Sequence, residues 1–281
     1  MATAGTGGRW PVVDRMVALA PTETWEQNCV EEPNVYWDGT RWVMLYSGGW
    51  ANERLGWATA STLDGPWVKQ GVFASGGLRP SSGRSCILFD QGQMYVYYDG
   101  QVCHGPDIAS MGAASTALAV DNVTIDRVTN ASVIKDGATY RMIFDGKAPG
   151  GTYWKSGYAT ATSPDGPFTI QQFPLDLGVV MDGGPCLNRV GPVFQLWWHG
   201  GVGNLPNDIY HSWSSDCLTW HNESGPRIVR TFPQEYDQVA DPFYVRDPAS
   251  GGYLFWSAMN NIGPGSPAAS IMRSLNMTIN P

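Results

Sequence analysis

Charge is scarce in this chain: 15% of its 281 residues are charged, and 17 Lys and Arg face 25 Asp and Glu for a net charge of −8. With 43% hydrophobic residues, 34 Gly and 20 Pro, that composition excludes a coiled coil, a collagen and a charge-driven disordered chain. The basic surplus that collects nucleic acid or an anionic membrane surface is also missing, so neither is an expected partner, while neutral and cationic small ligands stay open. No apolar run approaches the ~18–20 residues of a membrane helix. The N-terminal MATAGTGGRW lacks the basic-then-apolar order of a signal peptide, and residues 2–8 are small and flexible like a linker, which leaves the location of the protein open. Five cysteines (Cys29, Cys86, Cys103, Cys186, Cys217) are odd in number and form no C-x-x-C pair, which argues against a zinc site and a disulfide framework and for buried thiols. The chain also lacks a G-x-S-x-G elbow, a P-loop, H-E-x-x-H, and G-x-G-x-x-G ahead of a helix. No window keeps apolar residues at helical spacing for three turns, so little helix is expected.

What the chain does have is a repeat. An aromatic-rich phrase ending in a small or polar turn occurs five times: LYSGG, YYDGQ, IFDGK, WWHGG and FWSAM. Tyr46, Tyr98, Phe144, Trp198 and Trp256 are its equivalent positions, at intervals of 52, 46, 54 and 58 residues. That period suits a propeller blade of four strands. Each phrase follows an apolar run and a tight turn, as in NASVIKDGATYRMIFDG, where Asp-Gly supplies the positive φ of a hairpin. After it comes a third strand of alternating small and apolar residues, and LGWATASTLDGPW and SGYATATSPDGPF nearly superimpose. Their D-G-P turns lead into an outermost fourth strand.

The expected fold is therefore all-β: one five-bladed propeller over residues 9–281, with four antiparallel strands per blade and residues 1–8 as a flexible N-terminal segment. The fifth repeat reaches the end of the chain soon after its third-strand candidate, Ser270 to Thr278. An unpaired strand edge is a liability, and Arg9 to Leu19 is strand-like, so an N-terminal strand is expected to complete blade 5.

At this level the chain resembles the five-bladed propeller glycoside hydrolases, family 43 and its relatives in families 32, 62, 68, 117 and 130. The resemblance rests on the blade count, the acid-Pro start of the first strand, and the S-x-D-G-P ends of blades 1 and 3. It implies three carboxylates on the innermost strands of blades 1, 3 and 4: a base, a second carboxylate that tunes its neighbour, and a Glu acid before Gly-Pro. Fourteen residues before each equivalent aromatic stand Glu32, Arg84, Asn130, Gly184 and, with one insertion, Asp241. Glu32, before Pro33, matches the base; Asn130 stands where the tuning Asp belongs; the acid falls on Gly183, with Asp182 one residue upstream.

The resemblance favours an inverting glycosidase with Glu32 as base; Asp182, two residues from Gly184 and so on the same strand face, is the expected acid, and an arabinan-type, xylan-type or cell-envelope glycan the expected substrate. Asn130 and Arg84 are then expected to orient the sugar. The bland reading of Glu32 and Asp182 is a strand-start acid that satisfies backbone N–H groups or pairs with an arginine lining the funnel, Arg84 or Arg127; that of Asp241, in a second acid-Pro pair, is a turn or an inter-blade hydrogen bond. Glu32 is costly to bury beside Glu31 without a task. Loops after the second strands are expected to carry Trp50, His104, Lys147, His199 and Asn260 around the funnel mouth, with Trp50 as the platform for a sugar's C–H face. WWHGG resembles the Y-H-G phrase of family 130, although His199 could equally cap the strand end. Trp57, Trp67, Trp197 and Trp220 read as packing between blades. No cofactor is required, and the resemblance admits a structural calcium in the funnel. Asn-x-Ser/Thr occurs at Asn122, Asn130, Asn222 and Asn276, which bears on glycosylation only in a secreting host. A rival reading is a carbohydrate-binding propeller, such as a surface or virion adhesin, that kept the funnel and lost the chemistry, as Asn130 and Gly183 suggest.

Overall fold

The computed structural model describes residues 15–49, 53–73, 85–201, 208–230, 235, 237–260 and 268–274. Among the described residues twenty strands form five antiparallel sheets of four. The first strand, β1 (Met16–Leu19), is set aside for the far end of the chain. Blade 1 then holds β2 (Val30–Trp37), β3 (Trp42–Gly48), β4 (Arg54–Ala60) and β5 (Val68–Val72). Blade 2 is the shortest: β6 (Cys86–Asp90), β7 (Gln93–Tyr98), β8 (Gln101–Gly105) and β9 (Ser115–Thr116). Blade 3 comprises β10 (Arg127–Asp136), β11 (Thr139–Lys147), β12 (Lys155–Ala161) and β13 (Thr169–Gln172). Blade 4 comprises β14 (Met181–Val190), β15 (Val193–Gly201), β16 (Asp208–Ser214) and β17 (His221–Asn222). Blade 5 is β18 (Gln238–Asp247), β19 (Gly251–Asn260) and β20 (Ala268–Ser274), completed by β1, whose Met16 lies opposite Arg273. The expected N-terminal closure is thus present, and β1 covers the edge that β20 would otherwise expose. The expected strand start at Arg9 and the segment 1–8 lie outside the described residues. A three-residue turn of 3₁₀ helix spans Thr24–Glu26.

Side chains alternate across a strand, and here both faces are apolar because each second strand is wedged between two neighbours. Tyr46, Tyr98, Phe144, Trp198 and Trp256 all pack against the preceding blade, while Leu45, Tyr97, Ile143, Trp197 and Phe255, one residue earlier, pack against the following one. Each of the five inter-blade wedges is one apolar cluster, and burying each large aromatic stabilises the ring by roughly 1.5–3 kcal/mol. Trp197 and Trp220 are buried in such wedges, and Trp67 and Trp57 pack on their margins, as the sequence suggested. The third strands carry Gly56 and Gly157 opposite Tyr46 and Phe144, where an added Cβ would stand 2.6 Å and 2.4 Å from the rings. All five cysteines are buried free thiols.

The following polar position reaches the next blade at Asp99, Asp145, His199 and Ser257, which bond to Thr129, Gly184, Asp241 and Glu32. In that direction it meets the first strand of its neighbour, where the ladder is broken by a bulge. The register slips between Glu31 and Asn34, Thr129 and Ser132, Gly183 and Cys186, and Ala240 and Phe243. The bulged residues Glu32, Asn130, Gly184 and Asp241 take φ values of 58°, 47°, 57° and 50°. Left-handed backbone costs a residue with a Cβ roughly 1–2 kcal/mol, least for Asn and Asp, so Glu32 is the strained member.

Candidate functional site

Bulges and polar positions meet at the funnel floor. The Glu32 N–H donates to Ser257 Oγ (2.8 Å), the Gly184 N–H to Asp145 Oδ2 (2.9 Å), and the Asp241 N–H to His199 Nδ1 (3.0 Å). Each is a bond from the bulge of one blade to the second strand of the blade before it. Within blades, Ser47 Oγ donates to Glu32 Oε2 (2.5 Å), Asn130 Nδ2 to Asp145 Oδ2 (2.8 Å), and Ser257 Oγ to Asp241 Oδ2 (3.1 Å). Asp241 therefore makes the inter-blade hydrogen bond that was its simpler reading.

Above this floor opens a cavity of about 780 Å³. Glu32, Asn130, Asp145, Asp182 and His199 line it, together with Glu53, Asp99, Asp126, Arg127 and Trp154. Burial, then the charges of Asp241 and Glu31, hold the Glu32 carboxyl well above the usual carboxylate range. Burial and the charge of Asp241 likewise push Glu31 up, and its Oε2 is buried without a hydrogen-bond partner. Asp145 is 2% exposed, and burial pushes its pKa up to about 7, against the opposing pull of His199, the Gly184 N–H and Asn130. Both donors lie on Oδ2, and Oδ1 has none.

Asp182 is fully buried but spoken for: its Oδ2 pairs with Lys155 Nζ (2.8 Å) and its Oδ1 accepts the Ser156 N–H (2.5 Å). The partner is a lysine of β12 rather than Arg127. Both carboxylate oxygens of Asp182 are thus engaged by the start of β12. At Gly183, where the resembling families carry their acid, a Cβ would come within 2.9 Å of Asp145 Oδ2 and 3.1 Å of His199 Nε2. The space belongs to Asp145 and His199 instead. Because His199 Nδ1 accepts the Asp241 N–H, a neutral imidazole carries its proton on Nε2, on the side of Gly183.

The expected mouth residues separate. His199 is in the cavity wall. Lys147 sits behind Trp154, its Nζ 5.9 Å from the ring centroid, and Asn260 ends β19 opposite Ala268; neither is in the wall. His104 is displaced for a clear reason: blade 2 joins its second and third strands by the two-residue turn Asp99-Gly100 instead of a loop, so β8 carries His104 back down the blade. There it stacks on Tyr95 and lies 3.7 Å from Asp165. Trp50 and Arg84 lie outside the described residues. Sequence reasoning missed Asp145, Asp99 and Trp154, although the first two stand in the repeat itself, directly after the equivalent aromatic. Among the described residues no group of three or more His, Cys, Asp or Glu side chains is gathered to hold a metal ion. No helix among the described residues is long and apolar enough to cross a membrane.

No family model matches the sequence, and no curated protein matches it. Solved structures do match. A glycoside hydrolase superposes with a TM-score of 0.70 at 16% identity, over 93% of this chain and 91% of its own. The α-L-arabinofuranosidase of Podospora anserina, solved in complex with cellotriose, gives 0.68 at 10% identity over 93% and 95%. A thermostable family-43 glycoside hydrolase gives 0.62 at 12% over 86% and 88%. The chain has the five-bladed propeller fold of these glycoside hydrolases of families 43 and 62.

Proposed function

We propose that this protein is a glycoside hydrolase that takes a glycan into the funnel and cleaves a glycosidic bond, with Glu32 as proton donor and Asp145 as base. The observation that supports this most is that two carboxyls of one cavity wall sit in unlike surroundings. Burial raises both, but the like charges of Asp241 and Glu31 push Glu32 further toward its protonated form, whereas His199 and two hydrogen-bond donors pull Asp145 back to about 7. Unlike environments are how paired carboxyls divide acid from base. This reverses the role that resemblance gave Glu32 and passes over Asp182.

In the inverting form that the resemblance favours, Asp145 takes a proton from water as its oxygen attacks the anomeric carbon. Glu32 gives its proton to the departing glycosidic oxygen, and solvent exchange restores both groups. Asn130 positions Asp145, and Asp182 holds Lys155 and the start of β12. Arabinan-type, xylan-type and cell-envelope glycans are the substrates to test. The glycine at 183 favours one second reading, a binding propeller without turnover.

Leaving-group dependence tests the roles. Glu32→Gln is expected to lose about 10²–10⁴-fold on natural linkages but far less on dinitrophenyl arabinofuranosides or xylosides, whose leaving group needs no proton. Asp145→Asn is expected to lose activity on both. Equal losses of Glu32→Gln on the two classes would remove it as the donor.

A further inference from the structure

The funnel carries an excess of one charge. Six carboxyl side chains line the cavity, Glu32, Glu53, Asp99, Asp126, Asp145 and Asp182, while Arg127 is the basic side chain of the described wall. Lys155 answers Asp182. Glu31 and Asp241 add two more carboxyls, whose charges reach Glu32 as that of Glu53 does. Three arginines, Arg9, Arg79 and Arg84, lie outside the described residues. Even counted in full beside Arg127 and Lys155, they leave five cations against eight carboxyls. The excess belongs to a chain of net charge −8, so a cation is favoured both on approach and inside the cavity.

The hydrogen-bonding inventory points the same way. A carboxylate only accepts. The wall residue Asp145 is 2% exposed and its Oδ1 has no donor, and Asp126 Oδ1 is also buried without one. Buried acceptors of this kind take a donor from a ligand or from water. A sugar hydroxyl brings one donor together with lone pairs that need donors in turn, whereas an ammonium brings three donors and no acceptor. A neutral sugar that fills the cavity strips water from these carboxyls without replacing its stabilisation of their charge; an ammonium replaces it. The place for such a group follows from which carboxyls are already committed. Glu32 and Asp145 carry the proposed chemistry, and Asp182 is held by Lys155 and the Ser156 N–H. Asp99 and Asp126 stand on the same cavity wall. Thr129 Oγ1 lies 3.1 Å from Asp99 Oδ1 and 3.3 Å from Asn130 Oδ1, and Asn130 Nδ2 donates to Asp145, so a chain of contacts joins Asp99 to the floor. The Asp126 N–H donates to Lys147 O (2.9 Å), which ties its backbone to β11.

We propose that the funnel selects a cationic glycan, one whose glycosyl units carry a free ammonium group, and that Asp99 and Asp126 receive that group. That the ligand is a glycan rests on the function proposed above. That it is cationic rests on the carboxyls of the wall and is read by binding, not by turnover.

Calorimetric titrations at about pH 6 with glucosamine and galactosamine oligosaccharides of about two to five units, each beside its N-acetylated counterpart, test it. The parent is expected to bind the free amine of at least one such pair at least about 10-fold more tightly than the acetylated form. Asp99→Asn combined with Asp126→Asn is expected to cut that preference to within about 3-fold and to leave affinity for the acetylated form within about 2-fold. Asp107→Asn combined with Asp176→Asn, at two exposed positions outside the wall, is expected to keep the preference. No preference in any pair, a preference that survives the wall variant, or one that both variants reduce equally would overturn the proposal. A preference that depends on the wall pair, in a protein that releases no product, would keep the cationic ligand and refute hydrolysis. Release from neutral arabinan or xylan without any preference for the amine would keep the function and overturn this inference.

Discussion

Asp145, on the second strand of blade 3, accepts the backbone N–H of Gly184, on the bulged first strand of blade 4, at 2.9 Å. The same inter-blade bond joins Ser257 to Glu32 and His199 to Asp241. The device that locks neighbouring blades at the funnel floor is thus also the one that sets the candidate catalytic carboxyl. A residue in that position is held by the fold and needs no separate support, as a preorganised site requires.

Gly183 and Gly184 are expected to tolerate no side chain. Gly183→Ala places a Cβ against Asp145 Oδ2 and His199 Nε2, and Gly184→Ala adds a positive φ and contacts of 2.6 Å with His199 Nδ1 and 2.7 Å with Asp241 Oδ1. Chemical denaturation should show a loss of about 1–3 kcal/mol for each, larger at Gly184. An unchanged midpoint for Gly184→Ala would contradict the packing described for the floor.

Breaking the buried ion pair should cost more than trading it away. Lys155→Met leaves Asp182 charged and fully buried, an expected loss of about 3 kcal/mol, whereas adding Asp182→Asn should restore part of that stability. Denaturant midpoints of the two variants, with the m-value unchanged, read the difference. A double variant weaker than the single one would refute the pairing argument.

Asp145 gives the protein a pH signature of stability. Its folded pKa of about 7 lies above the ordinary 3.8, so its contribution is fully present below about pH 4 and is lost as pH rises through 7. The limiting slope is about 1.4 kcal/mol per pH unit for one proton. Glu31 and Glu32 are shifted in the same direction and add to the fall. Urea unfolding between pH 4 and 8 should show the parent weakening with pH and Asp145→Asn weakening less; parallel curves would contradict the assignment.

Much of this was legible in the sequence because it depends on local pattern. Five aromatic phrases at near-regular intervals specify five blades, Gly56 and Gly157 mark the third strands, and the unfinished fifth repeat calls for β1. The column Glu32, Asn130, Gly184 and Asp241, found by counting back from the aromatics, is the set of bulged residues that share a positive φ. The partners of that column were harder to read. Lys155 reaches Asp182 across 27 residues, and the bond from Asp145 to Gly184 spans 39. Such pairings depend on how adjacent blades face each other, which no single repeat encodes. His104 was misplaced because equal blades were assumed, and the two-residue turn at Asp99-Gly100 breaks that equality.

The most direct test of the catalytic reading is product release, by carbohydrate chromatography, from arabinans, xylans, fructans, mannans and bacterial cell-envelope glycans, with the parent run beside Asp145→Asn. The account predicts that the parent releases sugar from at least one of these glycans and that the Asp145→Asn protein, folded to the same extent, releases at least about 100-fold less. Release by both proteins at similar rates would remove Asp145 from the chemistry. Binding to a glycan with no release by the parent would contradict hydrolysis and leave a carbohydrate-binding propeller.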